Sequence, residues 1–266
     1  MNQPLAYVHP QAKIASNVVV EPFVTIHKNV EIGAGTWIGS NVTIMEGARI
    51  GKNCRIFPGA VISAVPQDLK YAGEETFAII GDNTIIRECV TINKGTKANM
   101  QTVVGQNCLL MAYVHIAHDS IIGNNCILAN AATLAGHVTI DDWAIVGGLA
   151  AVHQFVSIGS HAMISGGGMV RKDVPPFVKA AREPLSYVGI NSIGLRRRGF
   201  CADKIAEIQE IYRILFVKGY GINKALNIIE AEMPATKERD EVISFVQNAK
   251  RGVMKGYSRM DRMNAS

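Results

Sequence analysis

The chain has 266 residues, 48% of them apolar and 6% aromatic, and a formal net charge of +5. That content suffices for one large core or two smaller ones, and sparse aromatics with no stacking residues between the basic ones argue against nucleic-acid binding. No run of about 20 apolar residues exists, so no transmembrane helix is expected, and Met1 to Lys13 lacks the basic and apolar regions of a secretory signal.

From Val8 an aliphatic residue recurs every sixth position: Val8, Ile14, Val20, Ile26, Ile32, Ile38, Ile44, Ile50, Ile56 and Ile62. The step resumes at Ile80, Ile86 and Ile92, and again from Val104 to Val170. Four places after each aliphatic stands a small or β-branched residue, such as Ala12, Val18, Val42, Ala60, Val114 or Ala132. Gly often follows the aliphatic directly, as at Gly33, Gly51, Gly105 and Gly147. An α-helix at 3.6 residues per turn would scatter a strict period of six around its surface. Short flat strands meeting at tight corners would instead point every such aliphatic inward. The pattern predicts a parallel β-helix over residues 1–185, three six-residue sides to the coil.

Two stretches break the period, at about 63–79 and 94–103. Excursions from a regular solenoid commonly carry function or subunit contacts, or are merely tolerated surface loops. Cys54, Cys108 and Cys126 hold the small interior position, where Cys serves as a compact apolar filler, and Cys89 and Cys201 fit no metal or redox spacing. Five scattered cysteines without a signal peptide predict a reduced, cytoplasmic protein.

Five of the seven histidines fall between positions 115 and 161. In a three-sided coil, residues 18 apart lie about 4.8 Å above one another. His118 should therefore stack under Gly136 and Gln154, with His137 and His153 one residue from that column. Three readings stand for this polar edge. Neutral imidazoles suit zinc, but ligand spacing and a supporting carboxylate are not evident. Histidines on turns also hydrogen-bond neighbouring coils, the reading for His9, His27 and His161. The third is general-base catalysis, for which His118 is the best candidate because Asp119 adjoins it. No Gly-x-Ser-x-Gly elbow and no Cys beside a base is present, so a covalent nucleophile is not implied.

Asp173-Val174-Pro175-Pro176 should end the repeats, since tandem prolines cannot extend an internal ladder. Helical periodicity then predicts an α-helical domain over 186–266. One apolar face holds Ile205, Ile208, Tyr212 and Leu215; a second holds Ile222, Ala225, Leu226 and Ile229; a third holds Val242, Ile243, Val246 and Ala249. The polar tail from Lys255 to Ser266 is expected to fray. Arg196, Arg197, Arg198, Lys204, Lys250, Arg251 and Lys255 gather in this part, where they would either steer an acidic partner or form a solvated basic surface.

The runs His115-Ile-Ala-His-Asp119, Leu134-Ala-Gly-His-Val138, Ala151-Val-His-Gln-Phe155 and Asp173-Val-Pro-Pro-Phe177 resemble the UDP-N-acetylglucosamine acyltransferases. So do Pro66 to Glu74 and Gly189 to Phe200, and the resemblance extends over nearly the whole chain. It implies a left-handed β-helix, an exception to the usual handedness of crossovers, assembled as a homotrimer with active sites between subunits. It implies an O-acyltransferase that moves a (R)-3-hydroxyacyl chain from acyl carrier protein to the 3-hydroxyl of UDP-N-acetylglucosamine, opening lipid A biosynthesis, with no cofactor and no metal.

By that resemblance His118 is the general base, Asp119 its partner, and the Gly136 N–H the oxyanion donor. His137, His153 and Gln154 line the site. Asp68 and Lys70 reach the sugar or the acyl 3-hydroxyl, Asn191 and Arg197 hold the nucleotide, and His115 assists. Gly166 matches the family's acyl-length ruler, and its missing side chain implies a long chain of about 14 carbons or more. Ala180 to Leu185 departs from the family's Gly-Asn-containing segment, so nucleotide contacts there are not carried over, and Arg182 stands as the substitute. The sister N-acyltransferase carries a uridine-binding domain before its β-helix, whereas here the repeat starts at Val8. A γ-type carbonic anhydrase would hold zinc, and a non-catalytic scaffold would leave the histidines idle. Pro66 to Tyr71 and Arg196 to Phe200 argue against both.

Overall fold

The computed structural model describes residues 4–256. Apart from Lys255 and Gly256, the tail expected to fray lies outside the described residues. From Tyr7 to Ala181 the chain winds as a left-handed parallel β-helix. Two-residue strands such as Thr25–Ile26, Glu31–Ile32 and Trp37–Ile38 turn a corner every six residues, and three sides complete a coil. Each strand pairs in parallel with its equivalent one coil on, Thr25 with Thr43 and Ile26 with Ile44. The stacked strands form three sheets of nine, eight and eleven strands. The six-residue period places aliphatic on aliphatic along the axis, so Ile26, Ile38, Ile44, Ile116 and Leu134 are all 0% exposed. Cys54, Cys108 and Cys126 are buried among them.

The corners follow a rule of their own. At most corners the third residue after the interior aliphatic adopts a left-handed backbone, as at Asn29, Asn41, Asn53, Asn83, Asn107 and Asn125, whose φ values lie between 52° and 59°. Asn tolerates that region better than other non-glycine residues. The residue just before it has an N–H that no strand ladder takes up. Pro10, Pro22 and Pro58 remove the donor at that position. At three other corners a side chain on the next coil accepts it: Lys52 donates to Asp82, Gln106 to Asn124 and Asn124 to Asp142.

The two excursions lengthen single coils without shifting the inward register. Ile62 pairs with Ile92 and Ile80 with Val104, where regular partners such as Ile26 and Ile44 are 18 apart. Strand pairing claims the ends of both stretches. Val61–Ala64, Phe77–Ile80 and Gln101–Val104 all join sheets, so the excursions proper narrow to 65–76 and 94–100.

Pro175-Pro176 do not end the coil, contrary to the sequence expectation. Pro176 holds the corner position whose N–H the ladder leaves unused, Pro175 follows Val174 on the last turn of its sheet, and Val178–Ala181 rejoins the neighbouring sheet in parallel with Met163–Ile164. The chain then doubles back as Ser186–Ile190, antiparallel to that strand. Among the described residues four helices follow: α1 (Ser192–Arg197), α2 (Ala202–Tyr212) running into a π-helical turn at Arg213–Val217, α3 (Ile222–Glu232) and α4 (Lys237–Gln247). The apolar faces foreseen for α2, α3 and α4 are largely the buried ones, including Ile208, Tyr212, Ala225, Ile229 and Val242 at 0% exposure, but Ile222 at the start of α3 is exposed. Helix α1 is too short to announce itself by periodicity and buries only Leu195. The helices are tied to the coil by polar contacts at its end. The Tyr212 hydroxyl donates to the Pro176 carbonyl, and buried Asp173 accepts from the Ser157 and Arg251 N–H groups. No helix among the described residues is long and apolar enough to cross a membrane.

Candidate active site

Three strands, His115–Ile116, Thr133–Leu134 and Ala151–Val152, stack in one sheet with His115 on Thr133 and Thr133 on Ala151. Their corners therefore stack too, putting His118, Gly136 and Gln154 in one column. Gly136 is a glycine for space. A Cβ built there would lie 2.7 Å from both Nε2 and Cε1 of His118, so the imidazole occupies the room a side chain would need. The neighbouring column holds Asp119, His137 and Phe155, all in the left-handed corner conformation at φ 60°, 60° and 66°. Asn fills the equivalent position at six other corners. An acid and an imidazole there, eighteen residues apart, are the sequence signal for this second column. The His118 and His137 rings meet edge to face at 5.2 Å, and His137 stacks on Phe155 at 4.7 Å.

His118 and Asp119 are 6% and 1% exposed, and Nδ1 of the imidazole lies 2.7 Å from Oδ2 of the carboxylate. Burial alone would raise the Asp119 pKa. Hydrogen bonds from His118, from the Thr96 hydroxyl and N–H, and from the Asn99 N–H outweigh it and hold the carboxyl below its ordinary value. An ionised carboxylate can only accept, so Nδ1 of His118 carries the proton and Nε2 presents a lone pair beside Gly136. Burial lowers the His137 pKa, opposed by Asp119, whose Oδ2 lies 3.7 Å from its Nε2. Burial likewise lowers that of His115, whose Nδ1 is 2.7 Å from the Thr91 hydroxyl. Both side rings thus favour the neutral form near neutral pH.

An open cleft of about 730 Å³ runs along this column. Its walls include His115, His118, Gly136 and Gln154, and the first excursion brings Asp68, Leu69 and Lys70 to its edge. Leu69 is fully exposed there. The Gly136 N–H occupies the corner position whose donor the ladder does not use, and it donates to no protein acceptor among the described residues. The site therefore offers a base, a free N–H donor one coil away, and charged groups of both signs at the rim.

The structure does not gather every expected residue in one place. His153 is exposed beside the column, its Nδ1 3.1 Å from the Gln154 carbonyl. Asn191 is buried as the cap of α1. Its side chain accepts from the Gly194 N–H and donates to the His161 carbonyl, at the corner after Ser157–Ile158. Arg197 is exposed in the last turn of α1. Gly166 lies at the third corner, after Met163–Ile164, where a Cβ would meet only the Gly148 backbone. Arg182 is exposed just past Val178–Ala181, with a left-handed φ of 81°. Lys204, counted among the basic residues, is already paired with Glu207 and Glu238 at 2.9 and 3.0 Å.

His118, Asp119 and His137 each present one donor atom within 4.8 Å of the others, the one such trio among the described residues. The short His118–Asp119 hydrogen bond already engages two of those donors with each other, which is the arrangement of a proton-transfer pair. Thr96 and Asn99, which hold Asp119, were not foreseen, because the 94–103 stretch offered no motif beyond its break in the period.

Residues 173–254 match the family model described as UDP-N-acetylglucosamine O-acyltransferase, domain 2, and residues 101–136 match six bacterial transferase hexapeptide repeats. An acyl-[acyl-carrier-protein]–UDP-N-acetylglucosamine O-acyltransferase from a Sulfurihydrogenibium species is 55% identical over 251 residues, 94% of this chain and 93% of that one. The protein of the same description from Chlorobium phaeobacteroides is 59% identical over 193 residues, 72% and 73% of the two chains. The crystal structure of a UDP-N-acetylglucosamine acyltransferase from Bacteroides fragilis superposes with a TM-score of 0.95 at 50% identity, covering 96% of this chain and all of that one.

Proposed function

Because this chain belongs to the UDP-N-acetylglucosamine O-acyltransferase family, we propose that it transfers an acyl group from acyl carrier protein to UDP-N-acetylglucosamine, the step that opens lipid A biosynthesis. The donor group is a (R)-3-hydroxyacyl chain and the acceptor the sugar 3-hydroxyl. One observation carries the chemistry. Buried, ionised Asp119 fixes the His118 tautomer and leaves Nε2 as a free base in an open cleft.

His118 Nε2 takes the proton from the sugar hydroxyl as that oxygen attacks the thioester carbonyl. The Gly136 N–H, unused by the ladder, stabilises the tetrahedral oxyanion, and such a donor is worth about 3 kcal/mol in related sites. Collapse breaks the C–S bond, and the imidazolium returns its proton to the leaving thiolate. Gln154, His137 and His153 contact the substrate, His115 assists, and Asp68 and Lys70 hold the sugar or the acyl 3-hydroxyl. No cofactor is needed for this chemistry.

The active unit is a homotrimer with sites between subunits. Asn191 and Arg197 sit at one corner, His118 at another and Gly166 at the third, so one subunit cannot close a site around them all. Exposed Tyr113 and Leu149, on the same edge as Gly166, give that edge apolar surface to pack against a neighbour. In the assembly Asn191 and Arg197 hold the nucleotide, where a planar guanidinium suits diphosphate, and Gly166 ends the acyl track. The enzyme works in the cytoplasm, a reading its five free cysteines support.

Acyl transfer from 3-hydroxyacyl carrier protein to UDP-N-acetylglucosamine, measured for wild type and His118→Ala, tests the reading. Wild-type transfer that collapses in the variant supports it. No wild-type transfer, with stoichiometric zinc in the purified protein, would replace it with a metalloenzyme.

A further inference from the structure

The turn at 96–99 lies behind the catalytic pair and lines none of the cleft, yet it is built around one side chain. The Thr96 N–H donates to Asp119 Oδ1 at 3.0 Å and its hydroxyl to Oδ2 at 2.7 Å. The Asn99 N–H donates to Oδ1 at 3.1 Å, and the Asn99 side-chain amide to the Asp119 carbonyl, also at 3.1 Å. From the opposite side the Thr102 hydroxyl accepts from the Asp119 N–H at 2.8 Å. Thr96 is 5% exposed, so water cannot readily replace its hydroxyl.

The same turn is joined to the excursion at the cleft edge. Glu74 accepts from the Lys97 N–H at 3.0 Å through one carboxylate oxygen and from the Ala72 N–H at 2.8 Å through the other. The Tyr71 hydroxyl donates to the Glu74 carbonyl at 2.9 Å. A continuous set of hydrogen bonds therefore runs from the segment bearing Asp68 and Lys70, through Glu74 and the turn, to Asp119 and His118.

We propose that the 96–99 turn is the positioning element of the reaction, with Thr96 as its acting side chain and Glu74 as its tie to the 65–76 excursion. The inference rests on the reading of His118 as base. Oδ2 receives both the Thr96 hydroxyl and His118 Nδ1, so the hydroxyl fixes the rotation of the carboxylate and hence the direction in which Nε2 points. Thr96 touches no substrate. Its loss should slow the chemical step and leave substrate binding alone.

The test is steady-state transfer by Thr96→Val, Thr96→Ser and Glu74→Ala beside His118→Ala, with melting curves for each. Val keeps the shape and the N–H and removes only the hydroxyl. The expected result is a kcat lower by about 10- to 100-fold with both KM values within about twofold, the cost of one charge-assisted hydrogen bond. Ser should restore kcat to within about threefold of wild type. Glu74→Ala should raise KM for the sugar nucleotide and lower kcat together. Wild-type kcat in Thr96→Val, or a fall with lowered melting that Ser does not rescue, overturns the positioning role. A change of KM alone in Glu74→Ala overturns the tie. Transfer that persists in His118→Ala overturns the base assignment itself, separately from either.

Discussion

Gly136 and the His118 imidazole share one space: a Cβ on Gly136 would fall 2.7 Å from Nε2, the atom proposed to accept the substrate proton. The Gly136 backbone is not left-handed, so alanine is sterically excluded by the imidazole and not by its own φ. Gly136→Ala should therefore fold, with a cost of about 1–3 kcal/mol for overpacking, and push the ring off its line. Transfer should fall about 100-fold or more, as expected when a reacting group is displaced by around an ångström. A kinetic assay beside thermal melting checks both halves, and near-normal transfer would mean that His118 moves freely in the cleft.

Asp119→Asn separates fold from chemistry unusually well. Asn already fills the equivalent left-handed corner at Asn107 and Asn125, so the backbone conformation is retained. The amide, however, sets an N–H₂ against donors from Thr96, Asn99 and His118 that need an acceptor. It also removes the charge that stabilises the imidazolium. A kcat at least about 100-fold lower, with little change in KM, is expected. Equal loss of transfer and of thermal stability would point to a structural role for the carboxylate.

The period of six made the coil legible, because Ile, Val or Leu recurs at every sixth position wherever the coil is regular. The His118, Gly136 and Gln154 column followed from coil height alone. The corner rule was less visible. Asn29, Asn41 and Asn53 mark it, but Asp119 and His137 occupy the same position with other side chains, so a scan for one residue type passes over them. Pro175-Pro176 misled for a related reason: proline breaks a ladder, yet Pro176 takes the corner position where Pro10, Pro22 and Pro58 also stand, and Pro175 lies on the last turn of its sheet, with no further coil among the described residues for an N–H to reach. The cradle around Asp119 was beyond reach, since half of the contacts that Thr96 and Asn99 make with it come from backbone N–H groups, which any residue but proline possesses.

Acid should loosen the junction between coil and helices through His161. Its ring stacks between Trp143 and Phe177, and Nδ1 accepts from Arg198 at 3.3 Å. Burial, aided by the Arg198 charge, lowers its pKa from 6.5 to about 4. Between those values the unfolded chain binds the proton and the folded chain does not, so stability rises with pH across that window. The contribution is complete above pH 6.5 and is lost as pH falls through about 4. Melting temperature measured from pH 7 to pH 4 should decline, and decline less steeply in His161→Gln. Parallel curves would assign the acid sensitivity to other groups.

Gly166 carries the prediction that depends most on assembly. A Cβ there meets the Gly148 carbonyl oxygen at 3.2 Å, the Gly148 N at 3.9 Å and nothing else within contact range, so the corner is open toward its outside. In an isolated subunit a larger side chain would simply enter solvent. In a trimer whose acyl track runs between subunits, the same side chain would shorten the track. Gly166→Met should then move donor preference from long to shorter 3-hydroxyacyl chains, each methylene lost from the pocket counting about 10-fold or more in kcat/KM. Transfer rates for donors of graded length settle the point. A shift that vanishes when the trimer is dissociated would tie the ruler to the subunit boundary, and an unchanged preference would place the end of the track elsewhere.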